Sequence, residues 1–238
     1  MIDHARRDFA RRLGGAVALL SATPAMSFAA RDTAAPGAGA RAAALVAAAR
    51  QLLAGLAAPT LAPFLAAWPV TAARRDVSAA SLPVLRWLTH LEGAAVPATQ
   101  ALVRAVVAAA PELRWRQTYT RAEVGAEFLD NYGWTELAGL TGPVPSQHLA
   151  CGLLLLGPGT RYPQHRHEAD EIYVPLAGTA EWRQGSGDWR EQEPGTVIHH
   201  ARDVPHAMRT ATTPLLALYL WLSDDLAQKA HLDAPQPG

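Results

Sequence analysis

The chain has 238 residues, of which 50% are hydrophobic and 18% are charged. This composition supplies enough apolar residues for a buried core and is not typical of an intrinsically disordered chain. The 21 basic residues balance the 21 acidic ones, so there is no general electrostatic attraction to nucleic acid or an anionic membrane, and no nucleic-acid partner is expected. Because Cys151 is the single cysteine, a disulfide within the chain is excluded, and we expect a buried, inert strand residue.

The first thirty residues have the pattern of an export signal. Arg6 and Arg7 precede an apolar stretch, 13–26, that ends in small residues. The paired arginines, with Phe9 two positions on, resemble the twin-arginine export class. The stretch is too short and too interrupted by glycine and proline for a stable membrane span. We therefore expect residues 1–30 to be a signal peptide and the mature protein to be periplasmic. The alternative is an amphipathic or disordered start of a cytoplasmic protein.

Residues 31–112 are predicted to form a helical region. Apolar residues recur at helical spacing over 45–56, which indicates a helix with one buried stripe. A second helix is expected to begin between Ser78 and Pro83 and to extend to Leu91. A third is expected to begin at Pro97, because proline suits the first turn of a helix.

A further helix is predicted near the middle of the chain. Thr120 and Glu123 have the spacing of a capping box, in which each side chain satisfies a backbone donor of the other residue. This helix is expected to run through Phe128 and Leu129 and to end at Gly133.

From about His148 onward the pattern changes to short apolar and β-branched runs separated by glycine and proline. The predicted strands are 153–156, 171–176, 179–183, 197–199 and 215–222. Ala177 and Gly178 are predicted to form a tight hairpin between two of them. Many short strands joined by turns indicate a closed or two-sheet antiparallel barrel. We therefore expect a mainly β fold with a helical N-terminal region, in which residues 113–238 form the barrel domain.

A cluster of potential metal ligands lies in this β region. His165 and His167 are two residues apart, so both imidazoles point to the same face of a strand. Glu171 keeps the same parity, and His206 can return from a neighbouring strand as a fourth ligand. Three histidines and one carboxylate suit a single divalent transition metal, Zn, Fe, Mn, Co or Ni, with an open position for catalysis. We expect His199 and His200 to be ordinary strand residues or, at most, partners behind the ligands.

The ligand spacing resembles a known sequence motif. The first cupin motif is matched without a gap, and Pro194 and Gly195 with Pro205 and His206 resemble a degenerate second motif. The residues that match the first motif are Gly159, His165, His167, Glu171 and Gly178. The resemblance implies a cupin barrel, also described as a double-stranded β-helix or jelly roll.

The resemblance extends further, to the cupin-type dimethylsulfoniopropionate (DMSP) lyases, over roughly 113–226. It is carried by Tyr162, Pro163, His165, His167, Ala169, Glu171 and Tyr173, by the run 205–207, and by the strand residues Pro214, Leu215, Leu216, Ala217, Tyr219 and Trp221. Those enzymes split their substrate into dimethyl sulfide and acrylate. The resemblance implies that His165, His167, Glu171 and His206 bind the metal, with Tyr173 as the base and Tyr162 as an auxiliary pocket residue.

The expected substrate is a small molecule with a carboxylate and a sulfonium group. The faces of Trp182, Tyr219 and Trp221 suit a sulfonium cation, although core packing is the alternative role of each. Two other functions stay open: another metal-dependent cupin enzyme, such as an oxygenase or isomerase acting on a small carboxylate, and a non-catalytic periplasmic cupin that binds a small molecule. A homodimer is an open alternative to a monomer.

Overall fold

The structure is a computed structural model that describes residues 38–69 and 73–233. The predicted signal peptide, 1–30, lies outside the described residues. Among the helices of the two described segments, none combines the length and apolar character that crossing a membrane requires.

The helices precede most of the β-structure. The α-helices of the described chain are α1 (Ala38–Leu56), α2 (Ala62–Ala66), α3 (Pro97–Ala109), α4 (Arg121–Val124) and α5 (Ala126–Asp130). The 3-10 helices are Pro59–Leu61, Pro83–His90, Glu92–Ala94 and Ala110–Glu112. Helices α1 and α3 confirm two of the predicted helices, including the start at Pro97.

Two helix predictions were wrong in detail. The segment Pro83–His90 is a 3-10 helix rather than an α-helix, because apolar residues three or four positions apart fit both geometries. The capping box at Thr120 is present: the Glu123 carboxylate accepts from the Thr120 N–H at 2.7 Å. The helix it opens is nevertheless interrupted at Gly125, whose φ is +82°. Its continuation ends at Asp130, so Gly133 lies in a strand.

The strands form two sheets. Their bounds are β1 (Tyr132–Gly139), β2 (Val144–Pro145), β3 (Leu149–Leu156), β4 (Arg161–Arg166), β5 (Asp170–Ala177), β6 (Ala180–Gln184), β7 (Arg190–Gln192), β8 (Ile198–His200), β9 (His206–Thr210), β10 (Leu215–Leu222) and β11 (His231–Leu232). One sheet has the order β2-β1-β3-β10-β5-β8 and the other β11-β4-β9-β6-β7. Apart from the parallel pair β1–β2, neighbouring strands are antiparallel. This agrees with the predicted mainly β, two-sheet architecture.

The predicted hairpin at Ala177 and Gly178 was also wrong. Strand β5 belongs to the six-stranded sheet and β6 to the five-stranded sheet, so the turn carries the chain from one sheet to the other. Gly178 has a φ of +75°, and a Cβ there would overlap the carbonyl oxygen of Pro214. Glycine and neighbouring small residues predict a reversal of the chain, but they do not determine which strand pairs with which.

Strand β3 divides the interior into two apolar layers. All eight of its residues are buried, because successive side chains point to opposite faces and both faces are covered. Leu149, Cys151, Leu153 and Leu155 pack in the core shared with α1 and α3. Ala150, Leu154 and Leu156 face a second cluster, to which both sheets contribute. Cys151 is therefore a buried strand residue, as predicted, and the space between the sheets is open to the side chains of β4, β5, β9 and β10.

Candidate metal centre and catalytic cavity

The four predicted ligands come from facing strands of the two sheets. His165 and His206 are register partners on β4 and β9, and His167 directly follows β4. Glu171 lies on β5 of the other sheet. All four side chains are buried, with exposed fractions of 0 to 3%. The fold therefore brings together, away from water, the residues that sequence spacing selects.

A backbone carbonyl lies behind each of the three histidines. The Nδ1 atoms lie 2.9 Å from Pro163 O for His165, 3.0 Å from Ala169 O for His167, and 2.9 Å from Val204 O for His206. A carbonyl oxygen only accepts hydrogen bonds, so each Nδ1 must carry the proton. In the neutral ring, each Nε2 then presents a lone pair, which is the form in which histidine binds a metal.

These Nε2 atoms converge with the carboxylate. Ligand atoms of His165, His167 and His206 lie within 4.8 Å of one another. The Oε2 atom of Glu171 lies 3.0 Å from Nε2 of His167 and 3.0 Å from Nε2 of His206. His206 Nε2 is buried, and its contact with Glu171 is close but does not have the geometry of a hydrogen bond, nor does any other described residue offer one. Lone pairs facing a carboxylate at this distance need a proton or a cation between them, so the donor set fits a divalent transition metal.

The Glu171 carboxylate favours positive charge beside it. Burial lowers the pKa of His167, but the adjacent Glu171 outweighs burial and raises that pKa above its usual value. Burial opposes ionisation of Glu171, but the adjacent His167 and His206 outweigh it and hold the pKa of the carboxyl well below its usual value. Burial and the neighbouring His206 lower the pKa of His165 well below its usual value. His165 is therefore a neutral imidazole with a free Nε2 lone pair.

Trp221 holds the carboxylate from its other side. Its Nε1–H donates to Oε1 of Glu171 at 2.6 Å, and its ring centroid lies 4.3 Å from that of His167. Trp221 and Glu171 are register partners on β10 and β5. Trp221 was predicted only as a neighbour of the sulfonium group. The register that aims its indole N–H at Glu171 is a property of the sheet and leaves no local sequence signal.

A cavity of about 390 Å³ reaches the centre, and this size suits a small organic ligand. Among its lining residues are His165, Glu171, Tyr162, Tyr173, Tyr219 and Trp221. Gly152 opposes Tyr219 across β3 and β10, and a Cβ at this glycine would overlap the tyrosine ring. Trp182 is not among the lining residues. It is buried, with its ring centroid 6.4 Å from that of Tyr173.

The two predicted tyrosines differ in their surroundings. Tyr173 lies two residues after Glu171 on the same face of β5. Burial, and to a smaller extent the negative charge of Glu171, raises the pKa of its phenol well above the usual value of 10. Tyr162 stacks on His165, with centroids 4.3 Å apart and planes 12° apart. Its hydroxyl lies 3.2 Å from that of Tyr119 and 3.5 Å from that of Tyr132. Neither of these two partners was predicted, because both precede the region where strands were expected.

Two cationic side chains on the cavity wall were also missed. Arg116 lines the cavity, and its guanidinium carbon lies 5.7 Å from the centroid of the Trp134 ring. Lys229 lines it as well, and its Nζ lies 2.7 Å from Oε1 of Glu123. Both come from segments outside the cupin motif, so spacing within that motif carried no information about them.

The two adjacent histidines of β8 point in opposite directions. His199 pairs with Asp170, with Nε2 2.9 Å from Oδ1. His200 is fully buried and stacks in parallel on His206, with centroids 4.0 Å apart and planes 5° apart. Burial, and to a smaller extent the neighbouring His206, lowers the pKa of His200 to about 3. His200 therefore lies directly behind a predicted ligand.

Comparison with known proteins identifies the family to which this chain belongs. A family model described as dimethylsulfoniopropionate lyase matches residues 61–217. The chain belongs to the dimethylsulfoniopropionate lyase family. This confirms the family that the motif residues predicted. It also confirms the predicted enzyme class, a carbon–sulfur lyase.

Individual relatives agree with this membership. The chain is 34% identical to dimethylsulfoniopropionate lyase DddQ of Ruegeria pomeroyi over 166 residues, which are 70% of this chain and 82% of the relative. It is 30% identical to the putative dimethylsulfoniopropionate lyase DddL of Cereibacter sphaeroides over 130 residues, which are 54% of this chain and 53% of the relative.

Solved structures of DMSP lyases have the same fold. The crystal structure of DddQ from Ruegeria pomeroyi matches with a TM-score of 0.74 at 32% identity, covering 83% of this chain and 98% of that one. A chain from the crystal structures of the DMSP lyases RdDddP and RnDddQII matches with a TM-score of 0.76 at 37% identity, covering 83% and 100%. The predicted fold class, a cupin preceded by a helical segment, is confirmed.

Proposed function

We propose that this chain cleaves dimethylsulfoniopropionate into dimethyl sulfide and acrylate, with one divalent transition metal at His165, His167, Glu171 and His206 and with Tyr173 as the base. One observation carries the proposal: Tyr173 lines the same cavity as two of the four candidate ligands, His165 and Glu171. A base on that wall can reach a substrate whose carboxylate lies at the centre.

The reaction is a β-elimination. Tyr173 removes a proton from the carbon next to the substrate carboxylate, and that electron pair becomes the carbon–carbon double bond of acrylate. The bond between the next carbon and sulfur breaks, and sulfur leaves with its electrons as neutral dimethyl sulfide. A divalent ion in the site would supply the positive charge that stabilises the carboxylate as negative charge develops on it and would favour the phenolate form of Tyr173.

The other cavity residues have binding roles in this proposal. Tyr219 and Trp221 border the cavity, and aromatic rings suit the sulfonium cation. Tyr162, whose hydroxyl lies close to two other tyrosine hydroxyls, orients the substrate. Trp182 lies outside the lining residues, behind Tyr173, so we assign it to packing against the base rather than to the sulfonium.

The proposal predicts that Tyr173→Phe abolishes most turnover and leaves the metal bound. Phenylalanine keeps the ring volume and removes the proton acceptor, and loss of a positioned base typically costs about 100- to 10,000-fold in rate. Tyr162→Phe is the matched control, since it removes a hydroxyl from the same cavity without removing the base, and it should cost less. Gas-chromatographic detection of dimethyl sulfide measures the rate, and mass spectrometry measures the metal content.

One outcome would refute the role of Tyr173 as the base, and another would refute the lyase reaction itself. The first is full turnover by Tyr173→Phe. The second is no release of dimethyl sulfide by the wild type supplied with each of Zn, Fe, Mn, Co and Ni. Parallel assays with and without oxygen identify an oxygenase, because an oxygenase requires oxygen, whereas an isomerase, a lyase or a binding protein does not.

A further inference from the structure

His200 is a buried ring at the centre that the proposed reaction does not use. It is the register partner of Glu171 on β8 and β5, so both side chains point to the same face of the sheet, between the two sheets. It stacks on His206, and its exposed fraction is 0%. Its nearest aromatic neighbour besides His206 is Tyr173, with ring centroids 6.1 Å apart.

The hydrogen bonds of Gln184 fix the tautomer of His200. Nε2 of Gln184 lies 2.6 Å from the carbonyl oxygen of His199 and 2.8 Å from Nδ1 of His200. A carbonyl only accepts, so the Gln184 atom in both contacts must be the NH₂ donor. Nδ1 of His200 therefore accepts, and the ring proton lies on Nε2.

This tautomer is the opposite of that of the three ligand histidines. Those rings donate from Nδ1 to backbone carbonyls and present an Nε2 lone pair. His200 presents an Nε2–H donor instead, and a protonated Nε2 cannot bind a metal. This Nε2 is buried and has no hydrogen-bond partner in the part of the chain that the structure describes. Because Nδ1 faces Gln184 at the exposed end of β6, Nε2 lies on the other side of the ring. His200 is not among the residues that line the cavity, but neither are the candidate ligands His167 and His206, and His200 stacks on His206 at the centre.

An unpaired buried donor is costly, and an acceptor that enters the site would remove the cost. We infer that His200 donates a hydrogen bond from Nε2 to a carboxylate oxygen of the ligand held at this centre, the substrate or the product acrylate. This role deepens the proposed function, on which it rests for the identity of the carboxylate. His200 then distinguishes an anionic oxygen ligand, which accepts its proton, from a ligand that offers no acceptor.

The tautomer can be observed directly. Long-range proton–nitrogen correlation NMR spectra of the zinc-loaded protein should show the proton of His200 on Nε2 and those of His165, His167 and His206 on Nδ1. Acrylate should shift the His200 Nε2 signal, and acrylamide, which has no anionic oxygen, should shift it less. A proton on Nδ1 of His200, or an Nε2 signal that acrylate leaves unchanged, would overturn the inference.

Variants test the energetic role of the donor. His200→Leu removes the donor and retains an apolar side chain, and we expect it to keep its zinc and to bind acrylate about tenfold more weakly by calorimetry. His200→Gln places an NH₂ donor at a similar distance from the backbone, so its acrylate affinity should stay within about threefold of that of the wild type. His199→Leu, on the opposite face of the same strand, is the matched control and should bind acrylate as the wild type does.

The outcomes separate this inference from the proposed function. Unchanged acrylate affinity in zinc-loaded His200→Leu, no acrylate binding by the wild type, or loss of zinc from His200→Leu would contradict the donor role. Acrylate binding that depends on His200, in a wild type that releases no dimethyl sulfide, would support the donor role while the lyase reaction fails. The NMR measurement on the wild type decides the tautomer even if a variant does not fold.

Discussion

The backbone carbonyls behind the ligand histidines orient the rings before any ion arrives. Each of the three Nδ1 atoms is within 3.0 Å of its carbonyl oxygen, and Trp221 holds Glu171 by a hydrogen bond to its Oε1 atom. Fixed orientation and tautomer raise the affinity of a histidine site for its metal. The four ligands therefore form a preoriented set. Loss of one histidine leaves the other three ligands in place, but the coordination of a metal is then incomplete.

At this scale we predict that His165→Ala and His206→Ala each lose most of the bound metal. The reason is that a site with three of four protein ligands holds a divalent ion much less tightly. Mass spectrometry of the purified proteins measures the metal content. His148→Ala, which changes a histidine whose side chain is 68% exposed, is the control and should retain its metal. Full occupancy in both ligand variants would show that the assignment of these residues is wrong.

The glycines of the cupin motif have separate roles in the elements that they join. Gly178 joins β5 to β6, between the two sheets, with a φ of +75°, and a Cβ there would overlap the carbonyl oxygen of Pro214. Gly159 precedes β4 with a φ of +65°, and among the described residues no atom beyond its chain neighbours lies within 4 Å of where a Cβ would be. Both positions need a left-handed backbone, but only Gly178 also needs the absence of a side chain.

We therefore predict different costs for the same substitution at these two elements. Gly159→Ala should lower the free energy of unfolding by about 1 kcal/mol, from the left-handed backbone alone. Gly178→Ala should lower it by at least about 2 kcal/mol more, because the added methyl overlaps backbone that cannot move freely. Urea unfolding monitored by circular dichroism measures both. Equal costs would mean that the chain around Pro214 shifts to make room.

The two-layer interior covers both faces of the central strand β3. One apolar layer joins the six-stranded sheet to α1 and α3, and the other joins it to the five-stranded sheet around the site. The helical region thus contributes to the same core as the six-stranded sheet. The twin-arginine resemblance of 1–30 is compatible with export of a folded, metal-loaded protein, and we propose a periplasmic location.

For the whole molecule we predict that the exported protein begins near Ala30. The basic pair and the apolar run ahead of it are the features of an export signal, so replacement of Arg6 and Arg7 by lysine should leave the precursor in the cytoplasm. Intact-mass analysis of periplasmic and cytoplasmic fractions measures where the signal is removed. An intact Met1 in the cellular protein, with no exported pool, would contradict the prediction.

The sequence by itself determined the features that depend on neighbours along the chain. The capping box at Thr120 is such a feature, and so is the close spacing of His165, His167 and Glu171 along the chain. The predicted strand parity of these three ligands did not set their convergence, because His167 follows β4 and Glu171 lies on β5 of the other sheet. The resemblance to the DMSP lyases was also visible in the sequence, in residues such as Tyr162 and Tyr173 beside the motif, and the family model confirmed it.

Only the tertiary structure decided which residues meet across strands and sheets. It placed the Trp221 indole on Glu171, stacked His200 on His206, left Trp182 outside the cavity lining and sent the turn at Gly178 between the sheets. Register and sheet pairing follow from packing between segments far apart in the chain. No period or spacing within one segment contains that information.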